Sequence, residues 1–157
     1  MISACLLGIH CRYDGQSSPC TKLIDLVATF PFVPFCPEQL GGLATPRSPA
    51  DIRGGDGYDV LSGSARVINT DGKDVTEAFK KGALEALRLA QLTSAEIAIM
   101  KDKSPSCGLR TPYCENPSGF GIGITAALLK SHDIRIFESG PNSTFSTIDL
   151  LKLTGRS

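Results

Sequence analysis

Short apolar segments alternate with helix-like segments along most of the chain. Apolar runs predict strands at 1–5, 32–36, 65–69, 96–100 and 134–138, and a period near 3.6 predicts helices at 20–30, 74–92, 119–130 and 145–153. Strands that alternate with helices favour a mainly parallel sheet with helices on its faces. We therefore expect a three-layer, Rossmann-like α/β fold. The length of 157 residues fits one domain spanning residues 1–157.

Two segments qualify this expectation. Pro34 lies inside the second predicted strand, and proline has no N–H to donate to a neighbouring strand. That strand is therefore expected at an edge of the sheet or in a very short ladder. Residues 37–59 are rich in Gly, Pro, Asp and Arg, which predicts one long loop. Long structured loops tend to be functional, so this one is a candidate for part of a site.

Six cysteines are the unusual feature of the composition. The chain has no C-x-x-C pair and only two histidines, which excludes a compact zinc finger. Cys5 and Cys36 end predicted strands, and Cys107 lies in the loop after a third. Ligands of parallel α/β sheets bind beyond the carboxyl ends of the strands. We therefore expect these three cysteines at one edge of the sheet.

Three converging thiolates suit a soft metal or an iron–sulfur cluster. Three protein ligands on a four-iron cluster would leave one iron open to a substrate. The alternative is that the cysteines are ordinary buried residues that pack as small hydrophobes. We favour the metal interpretation for the three strand-end cysteines and the packing interpretation for Cys11, Cys20 and Cys114.

Polar residues near these cysteines are candidates for chemistry. Glu38 follows Cys36 by two residues and can serve as a general acid or base, or be a solvated loop residue. Ser104 and Ser106 flank Cys107 and can donate to a thiolate, a cluster sulfur or a substrate, or merely form a turn. Three further polar residues are candidates for substrate binding, although surface salt bridges are the commoner role of such residues: Arg12, Asp14 and Arg47.

Charge and hydropathy narrow the classes of function. Sixteen basic and sixteen acidic side chains cancel, which disfavours electrostatic binding of nucleic acid. No run of about 18 apolar residues exists, so no membrane span is expected. The short apolar stretch at 4–9 does not look like a signal peptide, and we expect a cytoplasmic protein with reduced cysteines. The glycines at 119–123 lack the spacing of a dinucleotide-binding loop.

Several short motifs occur together in one order along the chain. They are SACLLG (3–8), CRYDG (11–15), CPE (36–38) with GGL (41–43) and PR (46–47), DVT (74–76), SPSCG (104–108) and TAALL (125–129). In this respect the chain resembles a family long catalogued as a domain of unknown function and now typified by thiouracil desulfidase (TudS). The resemblance covers about residues 1–138. Residues 109–118 depart from it, because family members usually carry a longer segment with Tyr-Asp-Gly there.

The resemblance implies a [4Fe–4S] cluster held by Cys5, Cys36 and Cys107. It also implies removal of sulfur from a thiolated pyrimidine such as 2-thiouracil, giving uracil and sulfide without net redox change. Glu38 and Ser104 are the implied catalytic groups. The implied partner is a small thiolated nucleobase, and neither a membrane nor a nucleic acid is expected.

Two other classes of function remain open at this point. One is an iron–sulfur redox or sensor protein without catalysis, which a fourth suitably placed thiolate such as Cys11 would favour. The other is a zinc-binding or cofactor-free α/β module. The thiolated compound can be a free base, a nucleoside or RNA.

Overall fold

The computed structural model describes residues 1–141 and residue 143. Its strands are β1 (Ile2–Ser3), β2 (Pro34–Phe35), β3 (Ala50–Arg53), β4 (Arg66–Asn69), β5 (Ile97–Lys101) and β6 (Arg135–Ser139). Its helices are α1 (Thr21–Val27), α2 (Pro37–Leu40), α3 (Gly57–Ser62), α4 (Thr76–Leu92) and α5 (Ile124–Lys130). The helix predicted at 145–153 lies outside the described residues.

The main sheet has four parallel strands in the order β2-β1-β5-β6. Ile2 pairs with Pro34 on one side and with Ile99 on the other, so β1 lies between β2 and β5. The predicted parallel sheet is confirmed. The strand that contains Pro34 lies at an edge, where a missing N–H is tolerated.

Helices cover both faces of this sheet. Alternate residues of a strand point to opposite faces. Accordingly, Ile99 of β5 packs in one core cluster with Leu23 of α1, whereas Ala98 and Met100 pack with buried residues of α4 and α5. The three-layer α/β architecture expected from the sequence is therefore present.

The predicted strand at 1–5 is shorter in the structure. After Ile2–Ser3 the chain enters a 3-10 turn, Ala4–Leu7, which contains Cys5. Gly8 ends that turn with φ of 90°, a left-handed conformation that glycine adopts without steric cost. As a result, Cys5 leaves the sheet at the carboxyl end of β1 and does not pair within it.

Helix α4 is anchored at its start and buried along one stripe. The Oδ1 atom of Asp74 accepts a hydrogen bond of 2.9 Å from the N–H of Thr76, so Asp74 precedes the helix and binds one of its free amide groups. The buried stripe is formed by Phe79, Gly82, Ala83, Ala86, Leu87 and Ala90. This spacing matches the amphipathic pattern that predicted the helix.

Helix α2 packs on α4 through glycines. A Cβ on Gly82 would overlap the carbonyl oxygen of Pro37, and a Cβ on Gly41 would overlap that of Ala78. Because neither glycine has a side chain, the two helix backbones approach each other directly. This contact fixes the position of α2, which begins immediately after Cys36.

Strands β3 and β4 form a separate antiparallel pair, with Ala50 opposite Asn69 and Arg53 opposite Arg66. The prediction of one long loop over 37–59 was wrong, since α2, β3 and the start of α3 lie within it. The prediction missed β3 because its pattern is short: Ile52 alone is fully buried, beside a half-buried Asp51 and an exposed Arg53. The predicted strand at 65–69 exists as β4 but lies outside the parallel sheet.

Candidate active site

The three strand-end cysteines follow three neighbouring strands. Cys36 comes directly after β2, Cys5 lies in the 3-10 turn after β1, and Cys107 lies in the loop after β5. Since these strands are adjacent and parallel, their carboxyl ends meet at one edge of the sheet. All three residues line one cavity of about 530 Å³.

Cys107 is the most enclosed of these thiols. Burial is the main cause that raises the pKa of Cys107 to about 12, and the negative charges of Cys36 and Glu38 add to it. Hydrogen bonds from Ser3 and Ser104 partly oppose the rise because they favour the thiolate. Two hydroxyl groups are therefore already placed to stabilise a thiolate at this position.

Cys11 is a fourth thiol in the same cavity. Its pKa is raised to about 11: a hydrogen bond from Cys36 favours the thiolate, but a hydrogen bond to Cys5, burial and the charge of Cys5 outweigh it. The pKa of Cys36 is raised mainly because its thiol donates to Cys11, and burial adds to the rise. Cys11 is 1% exposed and belongs to a core cluster, as the packing interpretation expects, and its carbonyl oxygen also accepts a 3.7 Å hydrogen bond from the Cys36 thiol.

Glu38 and Arg47 form a largely buried ion pair beside the thiols. The Nε atom of Arg47 donates to Oε2 of Glu38 at 2.6 Å, and the side chains are only 8% and 15% exposed. The Nη2 atom of Arg47 donates to the carbonyl oxygen of Cys11 at 3.0 Å. Within residues 1–141, Oε1 of Glu38 has no hydrogen-bond partner, so one carboxylate oxygen is held and the other remains available.

Ser104 organises the loop that carries Cys107. Its Oγ atom accepts hydrogen bonds from the N–H of Cys107 at 3.0 Å and from the N–H of Ser106 at 3.2 Å. The hydroxyl hydrogen of Ser104 is not used in these contacts. Since Ser104 also lines the cavity, it can donate to a thiolate or to a bound molecule.

Some of the predicted substrate-binding residues lie at the cavity in the structure, and others do not. Arg12 and Arg47 line the cavity, whereas Asp14 and Ser106 do not. Asp14 instead accepts a 3.2 Å hydrogen bond from Arg12. Ser106 is 1% exposed and its hydroxyl lies 3.0 Å from that of Thr125, so it supports the fold around Cys107.

Other residues of the cavity were not singled out by the sequence. Tyr13 and Tyr113 line it, and both are partly exposed. The carbonyl oxygen of Tyr113 accepts a 3.0 Å hydrogen bond from the N–H of Ile52, which ties the segment at 109–118 to β3. An isolated tyrosine in a loop carries no sequence signal of such a role, because the contact depends on tertiary packing.

The chemistry of the donors around the cavity indicates which kind of metal group could be held there. In residues 1–141 and 143, no three His, Cys, Asp or Glu side chains converge closely enough to hold one metal ion. A zinc ion needs its thiolates at about 2.3 Å from one centre. An iron–sulfur cluster binds thiolates through separate irons, so its cysteines stand further apart. The soft donor set of free cysteines around a cavity of about 530 Å³ therefore fits a cluster.

The family model for 2-thiouracil desulfurase matches residues 1–140. The chain belongs to this family. The resemblance found in the sequence motifs is thereby confirmed, and the match covers every cysteine and polar residue discussed above.

Two relatives extend the comparison. The chain is 45% identical over 139 residues to the uncharacterized protein YbbK of Bacillus subtilis (strain 168), covering 87% of this chain and 92% of that protein. It is 39% identical to a solved structure described as the [4Fe-4S]-dependent thiouracil desulfidase TudS, with a TM-score of 0.73 and 88% of each chain covered. Both the fold and the family are therefore shared with a structure described as a cluster-dependent desulfidase.

No helix in the described part of the chain is both long and apolar enough to cross a lipid bilayer.

Proposed function

We propose that this protein is a [4Fe–4S]-dependent desulfidase that removes sulfur from a thiolated pyrimidine such as 2-thiouracil. Water supplies the oxygen, and the products are uracil and hydrogen sulfide, so no electron is gained or lost. The observation that carries the proposal is the convergence of Cys5, Cys36 and Cys107 with Glu38 on one cavity, in a chain of this family.

Cys5, Cys36 and Cys107 are the residues that would hold the cluster. When bound, a cluster with three protein thiolates supplies an open iron, a soft Lewis acid that suits the sulfur of a thione. Two hydroxyl groups, those of Ser3 and Ser104, favour the thiolate of Cys107. They therefore help a buried thiol to lose the proton that ligation requires it to lose.

Glu38 is the proposed general base. Arg47 holds Oε2 of Glu38 and neutralises the carboxylate charge in a largely buried place. Oε1 points to no other partner in residues 1–141, so it is free to accept a proton from the attacking water. The same oxygen can return that proton to a ring nitrogen or to the departing sulfur.

Ser104 and Arg12 are the proposed groups that orient the substrate. Ser104 lines the cavity next to Cys107, and its one hydroxyl hydrogen can be given either to the Cys107 thiolate or to a substrate. Arg12 lines the cavity, and its guanidinium donates to the Asp14 carboxylate at 3.2 Å and lies 5.7 Å from the centre of the Tyr13 ring. A pyrimidine offers carbonyl oxygens as acceptors, and both side chains are donors of the right kind.

The cavity and the charge balance favour a small molecule as substrate. A volume of about 530 Å³ is within the range of about 300–1,000 Å³ that is typical of small-ligand sites. The formal net charge of zero gives no electrostatic attraction for RNA. We place the reaction in the cytoplasm, where the six cysteines would remain reduced.

One alternative has a specific observation in its favour. Cys11 lines the same cavity as Cys5, Cys36 and Cys107, and four thiolates on one cluster would give a redox or sensor protein without an open iron. The zinc alternative has no such support, because the described residues lack a tight group of ligands.

The test is an anaerobic assay of the purified protein. Iron and acid-labile sulfide are quantified first, and release of uracil and sulfide from 2-thiouracil is then measured per cluster. The proposal expects both products in equal amounts without added reductant. A protein that holds a cluster but releases neither product from 2-thiouracil or 4-thiouracil would be assigned to the redox or sensor class.

A further inference from the structure

Tyr113 lines the cavity from a segment, 109–118, that contains neither a helix nor a strand of the two sheets. The segment runs from the loop of Cys107 towards helix α5, so its position depends on contacts with neighbouring parts of the fold. Loops are usually more mobile than the elements they connect. A cavity residue on such a loop keeps its place only if the loop is anchored on both sides of it.

The anchor that precedes Tyr113 is buried. Thr111 is 0% exposed, and its backbone forms a bridge with Gly121 through hydrogen bonds of 2.8 and 3.1 Å. The Oγ1 atom of Thr111 also accepts a 3.2 Å hydrogen bond from the N–H of Tyr113. This anchor is therefore protected from solvent.

The anchor that follows Tyr113 is formed by Glu115 at the surface. The carboxylate of Glu115 accepts from the N–H of Gly54 at 2.8 Å through Oε2 and from Nη1 of Arg53 at 3.0 Å through Oε1. The N–H of Glu115 donates to the carbonyl oxygen of Gly55 at 3.1 Å. Because β3 ends at Arg53, these three contacts attach the segment to one end of β3.

We propose that Glu115 is a positioning residue that clamps segment 109–118 to β3 and thereby holds Tyr113 at the cavity for binding of the substrate. This inference rests on the proposed function. The N–H of Ile52 in β3 donates to the carbonyl oxygen of Tyr113 at 3.0 Å, so the clamp lies next to the one backbone bond that joins Tyr113 to β3. Glu115 does not line the cavity and acts through Tyr113.

The contact of Glu115 with the backbone matters more than its ion pair. The side chains of Arg53 and Glu115 are 54% and 51% exposed, and exposed ion pairs contribute little to stability. An N–H that donates to a carboxylate forms a charge-assisted hydrogen bond, which is stronger than a neutral one. Accordingly, the N–H of Gly54 is the largest cause that lowers the pKa of Glu115. A side chain that keeps an acceptor for this N–H should preserve part of the clamp.

The experiment compares Glu115→Ala, Glu115→Gln and Arg66→Ala in the anaerobically reconstituted protein. Glu115→Ala removes both contacts of the carboxylate, whereas Glu115→Gln keeps an oxygen that can accept from Gly54. Arg66→Ala is the matched control, because it breaks an exposed 2.9 Å ion pair with Asp74 at the neighbouring strand β4, and neither residue lines the cavity. The readouts are KM, kcat, iron content and hydrogen–deuterium exchange in the peptide that contains Tyr113.

We expect Glu115→Ala to raise KM for 2-thiouracil by about 2- to 10-fold, the factor expected for loss of an aromatic contact. The values of kcat and iron content should stay at the parent level, and exchange around Tyr113 should become faster. Glu115→Gln should lie closer to the parent, and Arg66→Ala should match it. Residues that act through one another are not additive, so Glu115→Ala combined with Tyr113→Ala should have the KM of Tyr113→Ala alone.

Equal KM and equal exchange in Glu115→Ala and Arg66→Ala would overturn the clamp. Increases in KM that multiply in the double variant would show that Glu115 acts independently of Tyr113, which also overturns it. A parent protein that holds a cluster but turns over neither 2-thiouracil nor 4-thiouracil would refute the proposed function. The exchange comparison needs no substrate, so it would still support the clamp if Glu115→Ala exchanges faster than Arg66→Ala, and overturn it if the two are alike.

Discussion

Two parts of the fold supply most of the lining of the cavity, and the segments between them complete it with Cys11, Arg12, Tyr13 and Arg47. The sheet lining follows the carboxyl ends of β1, β2 and β5 and consists of Ser3, Ala4, Cys5, Phe35, Cys36, Pro37, Glu38, Lys101, Asp102, Lys103, Ser104, Pro105 and Cys107. The hairpin lining comes from β3, the turn after β4 and the segment tied to β3, and consists of Pro49, Ala50, Asp51, Thr70 and Tyr113. The first contains every proposed ligand, and the second contains no thiol.

Because the two linings are held in place in different ways, we expect them to have different roles. The sheet lining is built where neighbouring parallel strands end, so its residues are brought together by the core of the fold. The hairpin lining is held by contacts such as the hydrogen bond from Ile52 to Tyr113. We infer that the sheet lining determines the cofactor and the chemistry, with Ser104 also orienting the substrate, and that the hairpin lining adds to the affinity for the substrate without taking part in the chemistry.

The largest effect, loss of the cluster, is expected when a proposed cluster ligand in the sheet lining is replaced. Cys107→Ser should abolish the cluster, because the serine hydroxyl is a harder and much less acidic ligand than a thiol. Iron content and the visible absorbance of the anaerobically purified protein give the measurement, and both should fall to background.

Cys20→Ser is the matched control for that variant. Cys20 is also buried, at 2% exposure, but lies outside the cavity, so it should retain iron. Retained iron and absorbance in Cys107→Ser would remove Cys107 from the ligand set and with it the division between the two linings.

The strand-end rule explains how much of the site could be predicted from sequence. Cys5, Cys36 and Cys107 follow strands that a short apolar pattern identifies, and the parallel topology then brings them together. Cys11 follows no strand, so no comparable rule indicated its contacts. The same holds for the bond between Arg47 and Glu38, which depends on how the intervening loop folds back.

The sequence pattern predicted β4 as a strand but missed β3, and with it the antiparallel pair that the two strands form. Each of its strands is only four residues long, and one buried residue such as Ile52 is too little to establish a period of two. Tyr113 was missed for a related reason, because its place at the cavity depends on β3. Local patterns identify elements with several buried residues, such as α4, and fail where long-range contacts decide.

A large effect on turnover is expected at Glu38. Glu38→Gln keeps the size of the side chain and an oxygen that can accept from Arg47, but it cannot take a proton from water. A general base typically contributes about 10²–10⁴-fold, so uracil release per bound cluster should fall by that factor while iron content stays at the parent level.

An exposed glutamate gives the control for charge removal. The Glu77 side chain is 90% exposed, and Glu77→Gln should leave turnover unchanged. Turnover per cluster equal to that of the parent in Glu38→Gln would assign Glu38 a structural role and leave the reaction without its proposed base.

A smaller effect is expected from the packing that supports the sheet lining. Gly82→Ala would place a methyl group against the carbonyl oxygen of Pro37 and push α2 away from α4. Overpacking of this kind typically costs about 1–3 kcal/mol in the free energy of unfolding, measurable by denaturant titration. Because Cys36 directly precedes α2 and Glu38 lies within it, turnover should fall as well.

Leu84→Ala, at a position of the same helix that is 57% exposed, serves as the comparison for Gly82→Ala. Its effect should stay within about 0.5 kcal/mol, as for most surface substitutions. Equal stability and turnover in the two variants would show that the close contact between α2 and α4 does not position the site.

The smallest effect is expected in the hairpin lining at Tyr113. Tyr113 is 47% exposed and lines the cavity, so an aromatic side chain is available there to a flat pyrimidine. An aromatic pair contributes about 0.5–1.5 kcal/mol beyond simple burial, so Tyr113→Ala should raise KM by about 2- to 10-fold and leave kcat and iron content almost unchanged.

Tyr58, which is 44% exposed and lies outside the cavity, provides the control as Tyr58→Ala. Steady-state kinetics with 2-thiouracil separates the two parameters. A loss of iron or a fall in kcat in Tyr113→Ala, with KM unchanged, would mean that the hairpin lining takes part in the chemistry and that the two tasks are not divided between the two linings.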